Sequence, residues 1–342
     1  IGTIVPGAIL ILLGLGYWAG GNPILLDMSW DKLVPDMSNF NNLVLAASIF
    51  LFYAGMEMSA VHVKDVNNPG RNYPLAILIS AIITVLIFVL GTLAIGFIIP
   101  NSQINLVQSL LITYDSYFSF FGLGWMNWIL ALALTVGVLA QVTAWVGGPS
   151  KGLYQVGLAG NLPPVMQKRN KNNVQMGILL IQGGIVTLLS IMFVIMPSVQ
   201  SAYQIISQLT IILYLIMYML MFASGIYLRY REPNTPRTFR IPGGRTFGMW
   251  VVGGLGLLAS LAAFLVSFIP PNQITVGSST MYVLLLVVGT FIFAGIPFII
   301  HAMAKPSWKR PVDPEDAFEP FGWEKSNGSH SAATPSHSIS HE

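Results

Sequence analysis

Residues 50–59, FLFYAGMEMS, place an acid inside an apolar stretch of the chain. Glu57 is the one acidic residue well inside eight apolar stretches of membrane-spanning length, and none of the eight contains Lys or Arg. An ionised carboxylate at the centre of a membrane helix costs about 2.5–3.5 kcal/mol on insertion scales, so it indicates a function. Gly55, two residues earlier, favours local unwinding because it lacks a Cβ. Residues 50–59 therefore predict a broken membrane helix.

Two interpretations of this acid remain open. Unwound transporter helices expose backbone N–H and C=O groups that bind a substrate's carboxylate and amine, so Gly55 and Glu57 are candidates for a substrate site or a proton-linked element. In the alternative, Glu57 only satisfies backbone groups freed by the break, or lies near the cytoplasmic end of its helix.

The composition supports a membrane location for the whole chain. Hydrophobic residues make up 54% of the 342 residues and charged residues 8%, and cysteine is absent. A soluble domain carries about 25% charged residues, so a water-soluble protein this poor in charge could not cover its surface. We predict an all-α integral membrane protein without disulfides.

A membrane helix needs about 20 predominantly apolar residues. The stretches that meet this length are 1–19, 43–62, 75–99, 127–147, 174–196, 204–228, 248–269 and 281–303. Residues 1–303 are therefore predicted to form a transmembrane domain. Residues 304–342 form a polar, weakly structured tail.

The basic residues predict the orientation. Fifteen of the sixteen, all but Lys32, lie in loops or ends on one side, including five arginines in 229–247. The positive-inside rule places that side, with both ends of the chain, in the cytoplasm. This orientation accounts for the arginines without a nucleic-acid partner.

Other motifs predict structure and not chemistry. Pro69-Gly70 predicts a turn, and Pro74 suits the first turn of the next helix. Gly253, Gly254 and Gly256 lie inside an apolar span and follow no strand, so they favour helix packing or flexibility and not a phosphate loop. The tail contains His337 and His341 in a His-x-x-x-His pair, but no third metal ligand is evident, so we predict no metal and no cofactor. No nucleophile–base pair is evident either, so we predict no enzyme activity.

Four segments in order carry a resemblance to a known family. Residues 52–76 contain Gly-x-Glu followed by Asn-Pro-x-Arg-x-x-Pro, and this segment, 147–174 and 237–244 resemble the amino acid–polyamine–organocation superfamily. Residues 268–289 look like the bacterial glutamate/γ-aminobutyrate antiporters. The resemblance implies a LeuT-like inverted repeat in which helices one and six are broken. The eight spans would be helices five to twelve of twelve, with the first four missing from this chain.

The resemblance also supplies candidate substrate-binding residues. Tyr214 and Tyr218 lie four apart on one helical face and match tyrosines that line the transport path, where a phenol can donate to a carboxylate. Ordinary packing is the alternative for both tyrosines.

Further candidates follow from the same match. Gln141 and Trp145 are also four apart, and the position of Gln141 is a glutamate in the acid-resistance antiporters. An uncharged amide there argues against proton coupling through this position. Leu51 and Tyr53 match substrate-facing positions of the broken helix.

The resemblance implies a secondary antiporter of the bacterial inner membrane that exchanges glutamate for γ-aminobutyrate in acid resistance, linked to a cytoplasmic decarboxylase. Alternatives are an exchanger or permease for arginine/agmatine, polyamines or amino acids generally, and less readily a channel or receptor. In these antiporters a C-terminal segment plugs the cytoplasmic vestibule near neutral pH. His330, His337 and His341 would sense pH in such a tail; the alternative is a disordered tail without a regulatory role.

Overall fold

The computed structural model describes residues 2, 4–29, 36, 38–47, 49, 54–105, 107–235, 237, 239–243, 246–271 and 278–310. Within these ranges every regular element is a helix, so the all-α prediction is confirmed. Five predicted site residues lie outside the described ranges: Leu51, Tyr53, His330, His337 and His341.

The described chain contains ten α-helices and several shorter helical turns. The α-helices are α1 (Ile4–Ala19), α2 (Phe40–Ala47), α3 (Pro69–Ile98), α4 (Ser109–Phe120), α5 (Asn127–Val156), α6 (Met176–Ser190), α7 (Met192–Ile195), α8 (Val199–Arg231), α9 (Phe247–Val266) and α10 (Ser279–Ala302). A 3₁₀ helix, Met56–Asp65, separates α2 from α3.

Six helical segments among the described residues are long and apolar enough to cross a membrane. They are Pro69–Ile98, Gly124–Asn161, Met176–Ile195, Val199–Arg231, Phe247–Val266 and Ser279–Ala302. The other two predicted spans differ from the expectation. The first is α1, with 16 residues. The second, 43–62, is divided between α2 and the 3₁₀ helix.

The structure departs from the sequence prediction at Pro149 and at Pro69. The α5 helix runs through Pro149 to Val156, past the predicted end at residue 147, because a proline removes one helix hydrogen bond without ending every helix. The predicted turn at Pro69-Gly70 is also wrong. The α3 helix begins at Pro69, a position whose N–H has no partner within a helix, so a proline costs no hydrogen bond there. The chain turns one residue earlier, at Asn68, which has a φ of 48°.

The α4 helix was not predicted, since it lies between the predicted spans 75–99 and 127–147. Tyr114 and Tyr117 are almost fully buried, and their hydroxyls donate to the carbonyl oxygens of Pro6 and Ala94 at 2.6 Å each. These two bonds attach α4 to α1 and α3. The short helix is therefore a packed part of the bundle.

The α8 helix packs against α9 and α10. Gly256 of α9 meets the ring of Phe222, and Gly253 lies against Ile226, so these glycines serve close helix packing as predicted. Gly289 of α10 lies against Leu209, and Ile205 and Leu209 of α8 share one buried cluster with Tyr282 and Leu286 of α10. The α8 and α10 helices therefore run parallel and end on the same side.

That side carries most of the basic residues. The segment after α10 returns to the turn after α5: the side chain of Gln167 donates to the Trp308 carbonyl oxygen at 2.9 Å, and Lys309 lies against Gly160. Arg237 donates to the Leu228 and Glu232 carbonyl oxygens at the end of α8. We call this side, made of residues 157–171, 229–237 and 303–310, the basic end.

Candidate functional site

The break before the 3₁₀ helix is centred on Gly55. Its φ of 98° and ψ of −3° lie in the left-handed region, which a residue with a side chain rarely adopts. The next residue, Met56, begins a 3₁₀ helix and not an α-helix. The backbone N–H of Gly55 is therefore available to side chains.

Glu57 binds back onto this break. One carboxylate oxygen, Oε2, accepts from the Gly55 N–H at 3.1 Å and from the Tyr218 hydroxyl at 2.8 Å. The Gly55 N–H also lies 3.3 Å from the Tyr218 hydroxyl oxygen. The other oxygen, Oε1, is buried and has no hydrogen-bond partner among the described residues. The carboxylate thus links the break to α8 through one oxygen and keeps an acceptor on the other.

Aromatic rings continue this cluster along α8. The indole of Trp145 meets the ring of Tyr214 edge-on, with centroids 6.2 Å apart and planes at 88°. Tyr214, Tyr218 and Phe222 follow at intervals of four residues, with centroid separations of 5.9 and 6.4 Å. Four-residue spacing puts the three α8 rings on one helical face, and that face meets both α5 and the break.

Trp145 also determines which residue fits at the break. A Cβ added to Gly55 would collide with the Cη2 atom of Trp145 and stand 2.7 Å from Cζ2. Pro149, one turn later in α5, cannot donate the helix hydrogen bond to the Trp145 carbonyl oxygen. The Trp145 carbonyl oxygen, in the helix beside the break, is therefore released from regular helix bonding.

A cavity of about 310 Å³ lies between the break, α3 and α5. Its walls include Gly55, Thr84 of α3, and Trp145 and Pro149 of α5. The described lining side chains are uncharged. This cavity has a size suited to a small molecule.

The structure brings together five of the predicted site residues: Gly55, Glu57, Trp145, Tyr214 and Tyr218. Gln141 lies one turn before Trp145 on α5, with an exposed side chain that makes no hydrogen bond within the described part of the chain.

Sequence reasoning missed two contributors to this region. Phe222 extends the four-residue tyrosine spacing by one further step, so the pattern itself contained the signal. Thr84 comes from the middle of an apolar helix and carried no signal.

The chemistry available at this site is that of binding. It offers a carboxylate, phenol hydroxyls and interrupted backbone beside an uncharged cavity. Among the described residues, no group of three His, Cys, Asp or Glu side chains is placed to hold a metal ion.

Comparisons with known proteins extend this picture. The chain is 36% identical over 299 residues to an uncharacterized transporter of Legionella pneumophila, covering 87% of this chain and 64% of that protein. It is 32% identical over 306 residues to a glutamate/gamma-aminobutyrate antiporter of Lactococcus lactis, covering 89% of this chain and 61% of the relative. It is 24% identical over 238 residues to a probable agmatine/putrescine antiporter of Lactococcus lactis, covering 68% and 50%.

The chain therefore spans less than two thirds of the length of these relatives. The family model for amino acid permeases matches residues 1–293, which is most of the chain. A bundle of apolar helices with a break beside a small-molecule cavity agrees with that match. This chain belongs to the amino acid permease family, within the amino acid–polyamine–organocation superfamily of membrane transporters.

Proposed function

We propose that the protein is a secondary antiporter that exchanges glutamate for γ-aminobutyrate. The observation that carries the proposal is the hydrogen-bonded group of Gly55, Glu57 and Tyr218 at a helix break beside a cavity. The 32% identity to a glutamate/gamma-aminobutyrate antiporter supports the choice of substrates. The protein would lie in a bacterial inner membrane with its basic end and C-terminus in the cytoplasm, as the positive-inside rule expects.

The proposed binding mode uses the groups that internal contacts leave available. A substrate ammonium pairs with Oε1 of Glu57, the buried oxygen without a partner among the described residues. A substrate carboxylate accepts from the Tyr214 hydroxyl, beside the edge-on contact between the rings of Trp145 and Tyr214. Leu51 and Tyr53 belong to the same broken segment in this proposal, and Gln141 lies on the neighbouring turn of α5.

Counterflow in proteoliposomes tests the exchange. The protein, expressed from its complete coding sequence, is reconstituted, and uptake of labelled glutamate is compared with internal γ-aminobutyrate, internal agmatine or putrescine, and no internal substrate. We expect stimulation by internal γ-aminobutyrate. Stimulation by agmatine or putrescine alone would favour the cationic exchange named for the 24% identical relative, and a non-saturating conductance would indicate a channel.

A charge-removing variant tests the role of Glu57. Glu57→Gln retains the size and an oxygen that can accept from Tyr218, but it removes the negative charge. We expect exchange to fall throughout the range from pH 5 to 7, because the negative charge that would pair with a substrate ammonium is lost. Asp115→Asn is the charge-matched control, because it removes one negative charge from an exposed residue of α4, outside the cluster at Gly55. Normal exchange by Glu57→Gln across this range would leave the carboxylate a structural role only.

We further propose that residues 311–342 act as a pH-dependent plug, with His330, His337 and His341 as sensors. An unperturbed imidazole gains charge near pH 6.5, so acid would drive this tail away from a basic vestibule. The described chain ends at the basic end, where Gln167 holds the Trp308 carbonyl oxygen. Deleting residues after Arg310 should raise exchange at pH 7 and change it little at pH 5. Identical pH profiles with and without the tail would refute this.

The proposed exchange also implies a functional link to a cytoplasmic decarboxylase. Decarboxylation of the imported glutamate consumes a proton, so exchange paired with that enzyme would export protons in acid.

A further inference from the structure

A second cavity adjoins the first on the side of the basic end. It measures about 320 Å³ and lies between the 3₁₀ helix and the later turns of α5. Met58 and Ala144 line both cavities, so the two share a wall. A molecule that leaves the region of Gly55 toward the basic end would pass through this second cavity.

Lys151 gives the second cavity its charge. Among the described residues that line either cavity, Lys151 is the one charged side chain. It is exposed, and it makes no hydrogen bond or ion pair within the described part of the chain. Its ammonium therefore has all three donors available to a molecule in the cavity.

The hydroxyl of Ser59, which lines the same cavity as Lys151, is not free to donate to an anion. Ser59, which also lines the second cavity, donates its proton to the Met56 carbonyl oxygen at 2.7 Å. The Tyr73 hydroxyl lies 3.1 Å from the Ser59 oxygen and, since that proton is already used, must be the donor in this pair. Among the described side chains of this cavity, Lys151 is thus the donor free to bind an anion.

We propose that Lys151 determines specificity for anionic amino acids by binding a substrate carboxylate at the basic-end side of the site. This inference rests on the proposed antiport. Glutamate carries a net charge of −1 and would be repelled by the nearby Glu57 carboxylate, whereas γ-aminobutyrate is a zwitterion without net charge. A cation one cavity away from Glu57 offsets that repulsion for glutamate and matters less for γ-aminobutyrate.

The test measures the apparent KM for each substrate added from the basic-end side of oriented proteoliposomes. The variants are Lys151→Gln, which removes the charge, and Lys151→Arg, which keeps it. Lys171→Gln is the matched control, because Lys171 is an exposed lysine of the basic end that lines neither cavity.

We expect Lys151→Gln to raise the KM for glutamate about twofold to fivefold, the upper part of the range for one solvent-accessible charge pair. The KM for γ-aminobutyrate should change less than twofold. Lys151→Arg and Lys171→Gln should resemble the wild type.

An equal change for both substrates, or no change for glutamate, would overturn the role of Lys151 while leaving the antiport intact. Failure of the wild type to exchange glutamate for γ-aminobutyrate would instead overturn the proposed function, and with it this inference.

Discussion

The two halves of α8 have similar apolar sequences but different surroundings. The first half is packed: its buried residues are Ser201, Ala202, Gln204, Ile205, Gln208, Leu209, Ile211, Ile212 and Leu215. In the second half only Ile226 is buried among the described residues, and one face, which begins at Tyr214 at the boundary of the halves, continues with the rings of Tyr218 and Phe222. Polar side chains therefore do not mark the candidate site within α8, because Gln204 and Gln208 are buried in the packed first half.

The difference arises from the neighbours of each half. Ile205, Leu209 and Ile212 are enclosed by α10, with Tyr282 and Leu286 buried among them. The second half packs on one side against α9, through Phe222 and Ile226, and on another side faces the break at Gly55, where a 3₁₀ helix and a cavity lie. Both halves of α8 are apolar, so hydrophobicity does not distinguish them. The elements packed against each half determine which residues stabilise the bundle and which line a site.

The largest effect is expected where the second half meets the break. Gly55→Ala would place a Cβ against Trp145 and force a non-glycine residue into the left-handed region, which costs about 1–2 kcal/mol before the collision is counted. We expect exchange to fall by about a hundredfold or more. Counterflow with labelled glutamate measures it.

Gly184→Ala is the control for this change, since a Cβ at Gly184 of α6 meets no atom within 4 Å. Exchange by Gly184→Ala should equal that of the wild type. Wild-type exchange by Gly55→Ala would show that the broken geometry is dispensable.

The first half should respond in stability and not in binding. Ile212→Ala removes a fully buried side chain and leaves a cavity, at a cost of about 2–4 kcal/mol. Thermal melting of the purified protein should show a clear drop in Tm. Leu220→Ala, in the second half and 64% exposed, is the control and should melt like the wild type. Equal losses from both variants would erase the contrast between the two halves.

A smaller effect is expected at the hydrogen bond between α8 and the break. Tyr218→Phe removes the phenol that donates to Oε2 of Glu57, and a hydrogen bond to a charged group contributes about 1.5–3 kcal/mol. Apparent substrate affinity should weaken about tenfold or more. Tyr227→Phe, at an exposed position near the basic end, should leave affinity unchanged. An unaffected Tyr218→Phe would return this tyrosine to packing.

Sequence alone predicted most of the membrane helices, because long apolar stretches have few other stable environments. It also indicated the break, since Gly55 and Glu57 are both unusual inside a membrane helix. It missed α4, whose 12 residues include polar side chains and whose stability depends on tyrosine bonds to two distant helices.

The limits of sequence at the site have a similar physical origin. The tyrosine face of α8 follows from four-residue spacing, but its contact with Trp145 depends on how α5 crosses α8. The collision between Trp145 and a Cβ at Gly55 likewise joins residues 90 positions apart in the chain, which local patterns do not encode. The proposed role of Lys151 depends on how α5 packs against the 3₁₀ helix, because only the fold places this lysine in a cavity next to the break.

The smallest effect is expected at Tyr214, where the two halves of α8 meet. Its hydroxyl has no hydrogen bond among the described residues, so Tyr214→Phe keeps the edge-on contact with Trp145 and should not change Tm. If this hydroxyl donates to a substrate carboxylate, apparent affinity should weaken by about 0.5–1.5 kcal/mol, roughly twofold to tenfold. Tyr214→Leu removes the ring as well and separates the two contributions. Weakening in both variants assigns the effect to the hydroxyl, whereas weakening by Leu alone would place Tyr214 with the packed half of the helix.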